Sequence, residues 1–101
     1  MTISSNLQAD ANKLTIAIQG RFDFSAHKEF RQSYEDLADT PSAYAIDMSD
    51  AEYIDSSALG MLLLLRDHAG GDTADVEIVN CNPDVKKILT ISNFDQLFDV
   101  R

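Results

Sequence analysis

Three consecutive residues, Asp55-Ser56-Ser57, place a carboxylate beside two hydroxyls directly ahead of the apolar run "ALGMLLLL". A serine becomes a nucleophile only with a positioned base. The two histidines, His27 and His68, are far apart in sequence on separate predicted helices and pair with no serine. "SSALG" lacks the lysine of a phosphate-binding loop. One cysteine and two histidines make no spaced metal set, and Cys81 in "VNCNP" reads as a strand-end core residue. Neither intrinsic catalysis nor a cofactor or metal site is expected. What remains for the triplet is to cap a helix and to present a hydroxyl.

Advancing about 100° per residue from Ser56, Ala58, Leu62, Leu65 and Ala69 share one side, the predicted core side. Ser56, Ser57, Gly60, Asp67 and His68 cluster opposite. Leu64 falls among these polar residues and Met61 at their margin, so the helix carries more apolar surface than its core face requires. Asp55 is a good N-cap, able to accept from the amide of Ser57 or Ala58. Ser56 then sits on the first turn with its hydroxyl free to face solvent. Gly60 lies one turn below it. Glycine inside a helix costs about 1 kcal/mol relative to alanine, and a flat spot beneath an exposed serine allows another chain close approach. A buried helix with an ordinary cap would show the same triplet, so the motif alone leaves both readings open.

The elements that must position this helix are set by periodicity. "KLTIAIQG" alternates Leu14, Ile16 and Ile18 against polar or small residues and reads as a strand ended by Gly20. "TISSNLQA" is a weaker strand before it, with "DANK" as the hairpin turn. "FDFSAHKEFRQSYEDLAD" reads as one helix with Phe30, Tyr34, Leu37 and Ala38 on a face, capped by Asp23 or Ser25 and closed by Thr40-Pro41. "SAYAIDM" is a short strand, the serine helix ends at Gly70-Gly71, and "ADVEIVN" is another strand. Asn82 and Pro83 open a third helix whose buried face is Val85, Ile88 and Leu89. "LFDV" adds a last strand or docks on the core. The order predicts one α/β domain over residues 1–101, with a mixed, mostly parallel sheet of four to five strands packed by three or more helices. Function is expected in the loops "GRFDF" and "AEYIDSS", beyond the carboxyl ends of strands.

Composition bounds the partners. The 101 residues are 45% apolar and 25% charged, a globular balance, with net charge −9. No Lys/Arg cluster is present, so nucleic acid is not an expected partner, and a basic protein surface is. The longest apolar run is too short to span a bilayer. "MTISSNLQAD" lacks a basic start and an apolar h-region, and the single cysteine fits a reducing compartment. A cytoplasmic location is expected.

"YIDSSALGMLLLL", preceded by "YAIDMS" and "GRFDF" and succeeded by "VEIVNCNPDVKKILTISNFDQLFDV", resembles the STAS domain, and most closely the single-domain anti-sigma factor antagonists. The resemblance covers nearly the whole chain. Two departures stand out: Ala58 occupies a place where glycine is commoner, and Gly20-Arg21 replaces glycine followed by an acidic residue. The resemblance implies that Ser56 is the residue phosphorylated by a partner kinase. It implies that Asp55, Ser57 and the loop residue Asp23 flank that site. Asp23 has a plain alternative as the cap of the first helix.

The function implied by the resemblance is a partner switch. The unphosphorylated chain binds a regulator, such as an anti-sigma factor or related serine kinase; phosphorylation releases it, and a serine phosphatase restores binding. The expected contact surface is Asp23, Asp55, Ser57, Gly60, Met61 and Leu64. A phosphoserine adds about −1.5 to −2 charges, tolerated at a helix N-terminus but costly to desolvate against apolar neighbours. The rival expectation from the same resemblance is a cytosolic STAS subunit of a lipid-transporting ABC system, gripping an ATPase constitutively through the same helix.

Overall fold

The computed structural model describes residues 3–8, 10–35, 37 and 40–101. Strand β1 (Ile3–Gln8) turns back into β2 (Lys13–Phe22). A short 3-10 turn over Phe24–Ala26 leads into α1 (His27–Glu35). Then come β3 (Ala43–Ile54), α2 (Ser56–His68), β4 (Val76–Val79), α3 (Pro83–Ile91) and β5 (Asp99–Val100). The strands form one sheet in the order β1-β2-β3-β4-β5. The first pair is antiparallel and the other three are parallel.

Alternation decides which face of the sheet is covered. Leu14, Ile16 and Ile18 of β2, Tyr44, Ile46 and Met48 of β3, and Val76 and Ile78 of β4 are buried. They join Phe30, Tyr34, Ala58, Leu62, Leu65, Val85 and Leu89 of the three helices in a single core. Successive right-handed crossovers that all step the same way along a sheet put their helices on one face. The opposite face carries small and polar residues in register: Thr15 beside Ala45, Ala17 beside Asp47, Ala45 beside Glu77. The small side chain of Ala45 lets Lys13 of β2 and Glu77 of β4 form an ion pair across β3, and Ala45 is buried beneath it.

Three elements differ from the sequence expectation. β2 does not stop at Gly20 but runs on to Phe22: Gly20 takes φ 71°, a conformation glycine adopts without strain, and the register with β3 shifts there. β3 is twelve residues long and absorbs "SDAEY", expected as loop. Pairing with β2 persists through two irregularities, with Ala51 and Ile54 buried while Asp50, Glu52 and Tyr53 stay exposed. The first helix is shorter than expected and splits into the 3-10 turn and α1. Phe30 and Tyr34 are buried and Leu37 packs against the core; Ala38 of the same expected face lies outside the described residues. The three capping assignments agree with the hydrogen bonds: Asp23 accepts from Ser25 N–H, Asp55 from Ala58 N–H, and Asn82 from Val85 N–H.

Candidate functional site

Extension of β2 and β3 removes most of both expected loops and brings their ends together. Phe22 and Ile54 are register partners in parallel neighbouring strands. Each is followed at once by an aspartate in extended backbone, Asp23 (φ −133°, ψ −171°) and Asp55 (φ −120°, ψ −176°). Each aspartate has a serine two residues on, and each carboxylate accepts that serine's hydroxyl. Two Asp-x-Ser caps thus stand side by side at the carboxyl ends of adjacent strands.

The two serines of the second cap have different fates. Ser57 is half-buried and donates its Oγ to Asp55 Oδ1 at 2.6 Å, while Ala58 N–H donates to the same oxygen at 3.0 Å. Ser56 is exposed at the first position of α2, and no hydrogen bond ties its side chain to any described residue. The Ser57 hydroxyl first, then the Ala58 N–H, holds the Asp55 carboxyl below the usual aspartate value; burial and the neighbouring charge of Asp23 oppose the shift. Asp23 is likewise held low, chiefly by the Ser25 hydroxyl and N–H. Both groups are therefore ionised at neutral pH, and the pairing of Phe22 with Ile54 sets the two charges at neighbouring strand ends.

Below Ser56 the exposed face of α2 continues through Gly60, Leu63, Leu64 and Asp67. A Cβ built on Gly60 would meet nothing within 4 Å, so the glycine serves no packing inside this chain. Leu64 is 53% exposed and lines a groove of about 280 Å³ between α1 and α2, with Arg31, Tyr34, Glu35, Asp67 and His68. Met61 requires a correction: it is 3% exposed and belongs to the core, so it cannot line a contact surface. The second exposed apolar residue of α2 is Leu63 instead. The arc covered by the rest of the molecule is displaced toward Met61 and away from Leu63.

Two further residues of this end escape periodicity. Phe24 is 68% exposed and stacks on the His27 imidazole at 5.2 Å between ring centres. Tyr53 is also exposed, with the Arg21 guanidinium 4.5 Å above its ring. The signal for Phe24 was in the motif: Asp23-Phe24-Ser25 repeats Asp55-Ser56-Ser57, and Phe24 occupies the place of Ser56. Among the described residues no cluster of His, Cys, Asp or Glu could hold a metal ion, and no helix is long and apolar enough to cross a membrane.

Comparison with known proteins assigns the family. The family model described as "Mlab, STAS domain" matches residues 5–99. This chain is a member of the STAS domain family. A STAS-domain containing protein of Pseudomonas aeruginosa strain UCBPP-PA14 is 59% identical over 100 residues, covering 99% of each chain. Among solved structures, a candidate anti-sigma factor antagonist from Thermotoga maritima superposes with a TM-score of 0.82 at 17% identity, covering 97% of this chain and 84% of that one. The Bacillus cell fate determinant SpoIIAA, in its phosphorylated form, gives 0.73 at 14% identity, covering 98% and 90%. In its unphosphorylated form, described as an anti-sigma factor antagonist, it gives 0.71 at 14% identity, covering 88% and 82%. At these identities the structural likeness speaks for the fold: a five-stranded mixed sheet with three helices, shared with anti-sigma factor antagonists.

Proposed function

We propose that this STAS domain is a phosphorylation-controlled partner switch of the anti-sigma factor antagonist type, with Ser56 as the modified residue. The observation that carries the reading is the contrast at the second cap: Ser57 is engaged by Asp55, whereas Ser56 is exposed with its hydroxyl unengaged. The unmodified face offers Ser56, Gly60, Leu63 and Leu64 to a regulator, an anti-sigma factor or related serine kinase, with Asp23, Asp55 and Ser57 bordering it. A phosphoryl group on Ser56 adds about −1.5 to −2 charges beside two ionised carboxylates. The helix N-terminus tolerates it within the chain, while a docked partner must desolvate it. SpoIIAA, solved with and without its phosphate, matches this fold in both forms, in keeping with a modification that alters association and leaves the fold in place. The chain itself performs no phosphoryl chemistry in this reading; a kinase and a phosphatase supply it in the cytoplasm.

The test is affinity capture with Ser56→Ala and Ser56→Glu as paired baits, then titration of the captured partner. Ser56→Ala should bind like the unmodified chain. Ser56→Glu should bind at least tenfold more weakly, about 1.4 kcal/mol, with an unchanged circular dichroism spectrum. Equal affinity of both variants for a regulator counts against the switch. An ABC ATPase held equally by both would favour the rival reading, a constitutive STAS subunit of a lipid-transporting ABC system.

A further inference from the structure

Arg21, where the sequence departs from the usual glycine and acidic pair, is a cation set beside two ionised carboxylates. It is held more loosely than the other arginines. Arg31, Arg66 and Arg101 each donate to a carboxylate, at 2.8, 3.2 and 2.7 Å. Arg21 Nε reaches Asp23 Oδ2 at 3.5 Å, beyond the range of about 2.7–3.2 Å of a well-made N–H to oxygen bond, and its side chain is 66% exposed. Among the described residues its two Nη groups have no acceptor. Asp23 does not depend on this arginine. The Ser25 hydroxyl and N–H both donate to Asp23 Oδ1, and they lead the causes that hold the carboxyl low, with Arg21 behind them.

The backbone aims the guanidinium toward the start of α2. Gly20 pairs with Ala51 but Arg21 pairs with Tyr53, so Glu52 is an extra residue in β3 at that point. An extra residue bends its strand and re-aims the side chains beside it. Arg21 comes to lie over the Tyr53 ring, 4.5 Å from its centre, on the strand that leads through Ile54 and Asp55 to Ser56. Three residues of chain span at most about 11 Å, a gap that an extended arginine and a phosphoserine cover between them.

We propose that Arg21 is the counter-cation of phosphorylated Ser56: the guanidinium leaves Asp23 and clamps the phosphoryl oxygens through its Nη groups. This deepens the partner switch and rests on it. A guanidinium gives a phosphate two parallel N–H bonds, where Asp23 takes a single long one. The charged groups at this end are Asp55 in the cap of α2, Asp23 and Arg21 at the end of β2, and His27 of α1, stacked on Phe24. The two carboxylates oppose the second ionisation of the phosphate and the arginine favours it. Arg21 thereby keeps the modified serine fully charged at neutral pH, which is the state that repels a docked partner.

The test places phosphoserine at position 56 during synthesis of the full chain, so that no kinase or regulator enters the measurement. The second pKa of the phosphate is read by phosphorus NMR titration. Arg21→Gln should raise it by about 0.5 or more, and Arg21→Lys, which keeps the charge without the fork, should recover part of the difference. Lys13→Gln removes the same charge at the far end of β2 and should leave the value unchanged. At fixed pH the Arg21 Nε–H signal should shift on phosphorylation. Equal values for Arg21→Gln and the parent chain overturn the clamp. So does an equal effect of Lys13→Gln, or an unmoved Arg21 signal. The Ser56→Ala and Ser56→Glu baits decide the switch separately: a switch without a clamp gives unequal capture and equal pKa values, and a clamp without a switch gives the reverse.

Discussion

Ser56 and Ser57 are adjacent and chemically identical, yet the helix cap treats them oppositely. The cap needs one hydroxyl pointing back to Asp55, and the helical turn gives that place to Ser57; Ser56, one residue nearer the terminus, is left on the outside. This assigns Ser57 a measurable role. Asp55 and Asp23 are held below the ordinary aspartate value of 3.8, so the native chain releases these protons more readily than the unfolded chain. The stability they contribute is complete above that value and is lost as pH falls through the lowered native values. Ser57→Ala removes the leading cause of the Asp55 shift. Its carboxyl should then titrate closer to 3.8, read by NMR, and acid unfolding should begin at a higher pH than in the unaltered chain. Ser56→Ala should change neither quantity. If both alanine variants behave alike, the distinction between the two hydroxyls fails.

At the scale of the element, α2 carries two surfaces. Ala58, Met61, Leu62 and Leu65 are buried, while Ser56, Gly60, Leu63, Leu64 and Asp67 face outward. Gly60 sits in the outward row with open space where a side chain would project. Gly60→Ala should therefore raise stability by up to about 1 kcal/mol, measured by denaturant midpoint at constant slope. Gly60→Arg should retain the fold and weaken capture by the partner that binds Ser56→Ala. A loss of stability that matches the loss of binding would assign Gly60 to folding. The start and stop signals of α2 and α3 were legible because they are local: Asp55 and Asn82 bond amides three residues away. The lengths of β2 and β3 were not. Their outer halves alternate poorly, and they remain strands because each is the other's hydrogen-bonding neighbour.

The whole molecule is one sheet with a single covered face, so a single core supports all three helices. Leu62 is fully buried within it. Leu62→Ala should cost about 2–5 kcal/mol, a large share of the roughly 5–15 kcal/mol typical of a domain, and should lower the thermal midpoint well beyond any Ser56 variant. A shift of under a degree would mean that the core does not bear on α2 as described. The uncovered face is held by charge instead: Lys13, Glu77, Arg101 and Asp99 form linked ion pairs across it. Small residues along β2 and β3 leave room for these long side chains to lie flat.

The order of strands and helices and the three caps were decided by the sequence alone. Each depends on residues no more than a few positions apart, where periodicity and side-chain-to-amide bonds act without reference to the rest of the chain. The meeting of Asp23 with Asp55 depended on the tertiary structure, because it rests on a strand register between segments some thirty residues apart. So did the exchange of Met61 for Leu63 on the exposed face. A helical angle gives the direction in which a side chain points, but what the neighbouring elements cover decides whether that direction is buried.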